Sequence, residues 1–266
     1  MSTDPSHPIQ LGLCIMYPSP GVIERIGKDW DWIWLDGQHG QIAGYETMLA
    51  MVRACHSVGV PAFVRVPGHE ASWIGLALDA GASAVIVPQV ESAEQADSLV
   101  KAAKFPPTGN RSFGGRRPID LHGRGYYAGA NDSTKLICQI ESPDALKNAG
   151  EIAGIDGVDG LFLGSDDYLL RSGVEIAQSG GDSQLAEAMS ALSRICGPLG
   201  KSLVGVGAGA GSFALCIENG ATHVVVGGDV GFLAGGSKSA AQNARLALEA
   251  RGSKSAAPDS SSSRLY

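Results

Sequence analysis

Eight short runs of apolar, largely β-branched residues recur along the chain, alternating with stretches of helical spacing. The runs are LGLCIM (11–16), WIWLD (32–36), AFVRV (62–66), AVIVPQ (84–89), LICQIE (136–141), GLFLG (160–164), SLVGV (202–206) and HVVVGG (223–228). Amphipathic stretches fall near 45–57, 70–80, 92–103, 143–153, 183–198, 211–219 and 238–250. Continuous apolar strands alternating with helices predict a parallel sheet whose outer face is covered. Eight such units favour a closed (β/α)8 TIM barrel over an open sheet, which usually has about six strands and a glycine fingerprint after the first. Here the first strand runs into Tyr17-Pro18-Ser19-Pro20-Gly21 instead.

The length of 266 residues and the 44% apolar content fit one such barrel, which commonly takes about 250 residues. The expected organisation is a polar leader (1–9), a single barrel domain (10–250) and a Ser/Ala-rich, disordered tail (251–266). A net charge of −7 argues against nucleic acid or an anionic membrane as partner, since both call for a basic surface. No apolar run reaches the roughly 18–20 residues of a membrane span. Five cysteines without a C-x-x-C pair point to reduced thiols and a soluble, cytoplasmic protein.

One connection is long. Residues 105–134, FPPTGNRSFGGRRPIDLHGRGYYAGANDST, carry Arg111, Arg116, Arg117, His122 and Arg124 with aromatics between them. Two readings are open: a solvated loop, or a mobile cover whose cations draw in an anionic substrate.

In a barrel of this kind the active site forms where the strands end. Five consecutive strands carry polar groups there: Asp36 to His39, Arg65, Gln89, Gln139 with Glu141, and Ser165 to Asp167. Gln139 and Glu141 are two apart, so both face the same side of their strand. A carboxylate inside a barrel is costly unless paired. A hard ion such as Mg2+ or Mn2+ shared by Glu141 and Asp167 would resolve that cost, and so would a salt bridge from Glu141 to Arg65. His39 follows Asp36 by three residues. An Asp that accepts a hydrogen bond from one ring nitrogen leaves the other as a base.

Other signals are weaker. His69 could reach the rim, whereas His223 begins its strand at the opposite end and His7 lies in the leader. The Trp30/Trp32/Trp34 alternation reads as packing. Glycines in VGVGAGAG (204–211) and at Gly227–Gly228 are compatible with a phosphosugar-binding barrel, but they leave Glu141, Asp167 and Arg65 unexplained. A Schiff-base enzyme needs a lysine inside the barrel; Lys135 and Lys201 precede their strands, and the others fall on helices or loops. A barrel that only binds a ligand has no use for the intact acid, arginine and imidazole set.

WLDGQHG (34–40), VRVP (64–67), LDAGASAVIVPQVES (78–92), FPPTGNR (105–111), CQIES (138–142) and GVDGLFLGSDDY (157–168) occur in this order. Together, over roughly residues 10–250, they resemble the HpcH/HpaI family of metal-dependent class II pyruvate aldolases. The resemblance implies a Mg2+, Mn2+ or Co2+ ion on Glu141 and Asp167, and Arg65 on the pyruvate carbonyl and enolate oxygen. It implies a His39–Asp36 pair for proton transfer and Gln139 as the amide before the metal glutamate. Backbone amides of Gly164, Ser165 and Asp166 would hold the pyruvate carboxylate, and Asp79 would reach into a neighbouring subunit's site. The partners it implies are a 4-hydroxy-2-oxo acid, pyruvate and an aldehyde, within a homo-hexamer built as a trimer of dimers. Gln38 stands where the family often has Glu, and Gly164-Ser165-Asp166-Asp167 replaces the usual Gly-Pro-Ala-Asp. Members with a related Gln-His-Gly motif decarboxylate oxaloacetate, which keeps that reaction as the alternative.

Overall fold

The computed structural model describes residues 9–42, 44–174 and 182–255. Strand β1 (Gln10–Ile15) is followed by helix α1 (Pro20–Ile26), β2 (Trp32–Asp36) by α2 (Tyr45–Ser57), β3 (Ala62–Arg65) by α3 (Ala71–Ala80), and β4 (Ala84–Val87) by α4 (Ala93–Ala103). Two short helices, α5 (Arg116–His122) and α6 (Tyr127–Ser133), precede β5 (Lys135–Ile140), which leads to α7 (Pro143–Gly154). Strand β6 (Gly160–Leu163) runs into α8 (Ser165–Arg171) and α9 (Asp182–Leu199), β7 (Ser202–Val206) into α10 (Ala210–Glu218), and β8 (His223–Gly228) into α11 (Asp229–Ser255). The strands close in chain order, all parallel, with β8 back on β1. The eight strands and the closed barrel are those the sequence pattern predicts.

The apolar runs bury both faces. Outward-facing strand residues such as Leu35, Val64 and Val85 join Met51, Ile74 and Leu99 of the helices in one large core. Inward-facing residues, alternate along each strand, form a second cluster of Trp32, Trp34, Phe63, Ile86, Ile137, Phe162 and Val225. Trp32 packs on Phe63 at 4.7 Å and edge-on to His223, so this part of the tryptophan alternation is packing, as expected. His223 begins β8 and is 3% exposed.

Helix starts set how the strand ends are presented. The Ser142 hydroxyl accepts the Ala145 N–H at 2.9 Å, and Pro143 occupies the first helical position. Such caps fix the turn directly after a strand, here the residue after Glu141. Ser92 caps α4 in the same way.

The segment 105–134 departs from both readings offered for it. It folds into α5 and α6 and cannot cover the active-site rim of its own barrel. A helix following a parallel strand returns the chain to the end where strands begin, so a connection from α4 to β5 lies at that opposite face. Helix α5 escapes pattern reading because Pro118 and flanking glycines interrupt it.

By contacts the chain groups into a unit closing at Asp229 and another opening at Val230. Helix α11 starts nine residues before the predicted stretch and continues to Ser255. Nearly all of the expected leader, with His7, and the tail beyond Ser255 lie outside the described residues. All five cysteines are free thiols; burial pushes Cys55, Cys138 and Cys196 up to about 12.

Candidate active site

A cavity of about 200 Å³ opens where the strands end, lined by Trp34, His39, Arg65, Gln139, Glu141, Phe162, Gly164, Ser165, Asp166, Asp167 and Val206. Eight of the residues predicted from strand ends and motifs thus share one wall. Asp36 stands directly behind Arg65, and Asp79 is elsewhere.

Arg65 and Asp36 are register partners on β3 and β2. Both side chains point inward and are buried, Arg65 to 6% and Asp36 to 1%. Arg65 donates from Nε to Asp36 Oδ1 at 2.9 Å and from NH2 to Oδ2 at 2.7 Å. The planar fork therefore spends one edge on the carboxylate. Its NH1 lies 3.5 Å from Gln139 Oε1, a weak contact that leaves that edge for the cavity. The guanidinium also lies 4.6 Å over the Trp34 ring. Burial by itself would raise the Asp36 carboxyl, but the hydrogen bonds and charge of Arg65 outweigh it and hold the group below its ordinary range.

This pairing corrects two expectations. The salt bridge considered between Glu141 and Arg65 is absent, because Arg65 is taken by Asp36. The Asp36 carboxylate does not orient the His39 ring either. Its Oδ1 accepts the backbone N–H groups of Gln38 and His39 at 3.0 and 3.2 Å, while the imidazole itself is exposed. Spacing along the chain foresaw the proximity but not the competition from an arginine one strand away.

Glu141 is 1% exposed and has no cationic partner among the described residues. Its Oε2 accepts the Gln89 N–H at 2.8 Å. Gln89 has φ 56, a left-handed conformation uncommon outside glycine, which turns that amide toward the carboxylate. Burial first, and then the charge of Asp167, push the Glu141 carboxyl up. Gly164 makes room for this group: a Cβ there would lie 2.5 Å from Glu141 Cγ and 2.8 Å from Gln139 Nε2. The sequence points only to the Gln89 side chain, at a strand end; no residue pattern announces a role for its backbone.

Among the described residues no cluster of three His, Cys, Asp or Glu could hold a metal ion. What the site offers is two oxygen ligands, one buried without a salt-bridge partner among the described residues and one half-buried. That donor set fits a hard divalent ion completing its shell with water and substrate oxygens, and the unpaired state of Glu141 is the observation that favours one.

Three other side chains resolve. His69 donates from Nε2 to the Pro88 carbonyl at 2.7 Å, steadying the end of β4 outside the cavity. The Trp34 indole N–H is buried with no acceptor among the described residues and borders the cavity floor. Asp79, on the last turn of α3, pairs with Arg111 at 2.7 Å at the barrel's opposite face. No lysine lines the cavity. Gly207 is instead required by packing, since its Cβ would meet Val224 at 2.7 Å.

A closed parallel barrel gathering carboxylates, a guanidinium and an imidazole at its strand ends is built as an enzyme. Residues 18–234 match the HpcH/HpaI aldolase/citrate lyase family. The chain is 38% identical over 192 residues to a 4-hydroxy-2-oxovalerate aldolase of Novosphingobium aromaticivorans, covering 71% of this chain and 72% of that one. It is 34% identical over 221 residues to a hydroxypyruvate/pyruvate aldolase of Rhizorhabdus wittichii, covering 82% and 86%. A solved HpcH/HpaI family structure from Burkholderia cenocepacia superposes with a TM-score of 0.81 at 26% identity, over 91% of this chain and 96% of that one. The chain belongs to the HpcH/HpaI aldolase/citrate lyase family. It is a carbon–carbon lyase of the class II pyruvate aldolase type.

Proposed function

We propose that this aldolase cleaves 4-hydroxy-2-oxo acids into pyruvate and an aldehyde, and joins them in reverse, using a divalent ion held by Glu141 and Asp167. The observation that carries the reading is Glu141: a buried carboxylate with no salt-bridge partner among the described residues, facing the same cavity as Asp167 and the free edge of Arg65. Mg2+, Mn2+ and Co2+ are the candidate ions. When bound, such an ion supplies Lewis-acid polarisation of the 2-oxo group.

The chain's own residues do the rest. Arg65 NH1 donates to the 2-oxo oxygen as negative charge gathers there, the contribution of an oxyanion donor. Asp36 holds the guanidinium in that orientation. Backbone amides of Ser165 and Asp166, at a helix start where N–H groups lack intrahelical acceptors, take the substrate carboxylate; the Gly164 N–H is already given to the Ile140 carbonyl at 3.0 Å. Gln139 borders the same oxygens, and the Trp34 indole N–H offers a further donor from the floor. His39 removes the proton of the C4 hydroxyl; the C3–C4 bond breaks, the aldehyde carbonyl forms, and the electron pair passes to the enolate, which is then protonated at C3 to give pyruvate.

Oxaloacetate decarboxylation is the second reading, and one observation favours it. Among the described residues the His39 ring has no partner fixing its tautomer, and losing CO2 to reach the same enolate needs no hydroxyl deprotonation. A lactate dehydrogenase-coupled assay for pyruvate, across 4-hydroxy-2-oxo acids and oxaloacetate with and without metal, tests both. Absence of pyruvate from every 4-hydroxy-2-oxo acid tried would overturn the aldol reading.

We further propose a homo-hexamer, a trimer of dimers, in which Asp79 reaches a neighbouring subunit's site. The family resemblance supports this, as do Leu233, Leu246 and Leu248 of α11, each at least 55% exposed and removable from water by another chain. Among the described residues no helix is long and apolar enough to cross a membrane. A cytoplasmic location is proposed on the five free thiols, which suit a reducing compartment.

A further inference from the structure

In a chain with 27 acidic residues against 20 lysines and arginines, a pocket lined by cations and no carboxylate runs against the charge of the whole. One lies at the face where the strands begin. A cavity of about 230 Å³ opens between the end of α3 and the α5–α6 insertion, reached by Arg111, Arg117, His56 and His122, with no Asp or Glu in its wall. The residues just before β4 and β5 also border it, so the length of the barrel separates it from Glu141.

Arg117 has only neutral partners. Its NH1 donates to the Ala80 carbonyl at 3.1 Å, and its NH2 to His56 Nδ1 at 2.9 Å. His56 in turn donates from Nε2 to the Gly81 carbonyl at 3.1 Å. That fixes its tautomer and keeps the imidazole uncharged. Burial, then the charges of Arg117 and His122, push the His56 pKa down. Burial, then Arg53, do the same to Arg117. Positive charge here is crowded against positive charge.

Two donors at this cavity lack acceptors among the described residues. Arg111 is 6% exposed and pairs with Asp79 through NH2, yet its Nε–H meets none. The Tyr126 hydroxyl lies near the Gly114 and Gly115 amides, and its own proton has no acceptor. Unmade hydrogen bonds on buried donors are costly, and every group left over at this site is a donor or a cation.

We propose that this cavity is an oxyanion-binding site, taking a small phosphate- or carboxylate-bearing molecule on Arg117, His122, Tyr126 and the Arg111 Nε–H. Guanidinium groups suit both ligand types, through paired N–H donors. The site is separate from the reacting centre of its own barrel and stands independently of which aldehyde the enzyme uses.

Calorimetric titration of the full chain, freed of metal, with inorganic phosphate and separately with acetate at constant ionic strength tests this. Saturable phosphate binding is expected, with a Tm that rises with phosphate and not with chloride. Binding of acetate as well would identify a site for carboxylates; phosphate alone would identify a site for phosphate esters. Arg117→Gln combined with His122→Ala should weaken phosphate at least tenfold. His122→Ala alone, at an exposed side chain, should weaken it severalfold and serves if the double variant does not fold. Arg65→Lys, in the other cavity, should leave the affinity unchanged. A chloride-like response, an unchanged affinity in the folded His122 and Arg117 variants, or loss of binding on Arg65→Lys would each overturn the proposal.

Discussion

Arg65 clasps Asp36 through two hydrogen bonds, of 2.9 and 2.7 Å, between register partners on adjacent strands. The clasp is buried, so neither charge is left to water. Arg65→Lys keeps a charge but gives up the fork, freeing one Asp36 oxygen and withdrawing the NH1 donor. The expected result is a folded protein of lowered Tm whose turnover falls roughly a hundredfold or more, in aldol cleavage and in oxaloacetate decarboxylation alike, since both pass through one enolate. Stopped-flow or coupled assays on both substrates check this. Near-normal rates in both would remove Arg65 from enolate stabilisation.

Glu141 gives the opposite pattern for stability. Removing an unpaired buried charge relieves desolvation, and the carboxamide of a glutamine in its place could still accept the Gln89 N–H. Glu141→Gln should therefore melt at the same temperature or higher in metal-free buffer while losing metal affinity and activity. Chelation of the unaltered enzyme should abolish turnover, with Mg2+, Mn2+ or Co2+ restoring it. Full activity in a metal-free sample would sink the assignment.

His39 separates the two reactions. His39→Ala should cut aldol cleavage by a factor on the order of 10²–10⁴, the usual worth of a positioned base, and spare metal binding and most decarboxylation. An equal loss in both would mean the ring does not act on the C4 hydroxyl.

Much of this site could be read from the chain before any coordinates. The eight apolar runs declared the strands, and the rule that barrel chemistry gathers at strand ends placed His39, Arg65, Gln139, Glu141 and Asp167 together. Cross-strand competition was not legible. Nothing in Asp36-Gly37-Gln38-His39 announces that Arg65, on another strand, will take the carboxylate before the imidazole can. The Gln89 contribution was hidden for a similar reason, since it comes from a backbone N–H in an unusual conformation. Helix α8 was missed because its first turn, Ser165-Asp166-Asp167, reads as a polar strand end.

Below the site, His223 sits inside the barrel with its pKa lowered by burial to about 4, from 6.5. Above pH 6.5 both folded and unfolded chains carry it neutral, and its contribution to stability is complete. As pH falls from 6.5 toward 4 the unfolded chain takes up the proton and the folded one does not, so stability declines and the loss levels off below about 4. The total is on the order of 3 kcal/mol. Denaturant unfolding of the parent and of His223→Gln between pH 7 and 4 should show a shallower decline in the variant; parallel curves would exclude this histidine as a source of acid lability.

The α5–α6 insertion joins α4 to β5 at the end of the barrel where strands begin, while Glu141 and Asp167 stand at the other. Its length and composition are thereby uncoupled from the bond-breaking of its own barrel. Arg111, just ahead of the insertion, holds Asp79 at this face, so any tie from here to chemistry runs through Asp79 to a neighbouring subunit. One end of the molecule is held to its own substrate, and the other answers to a neighbour.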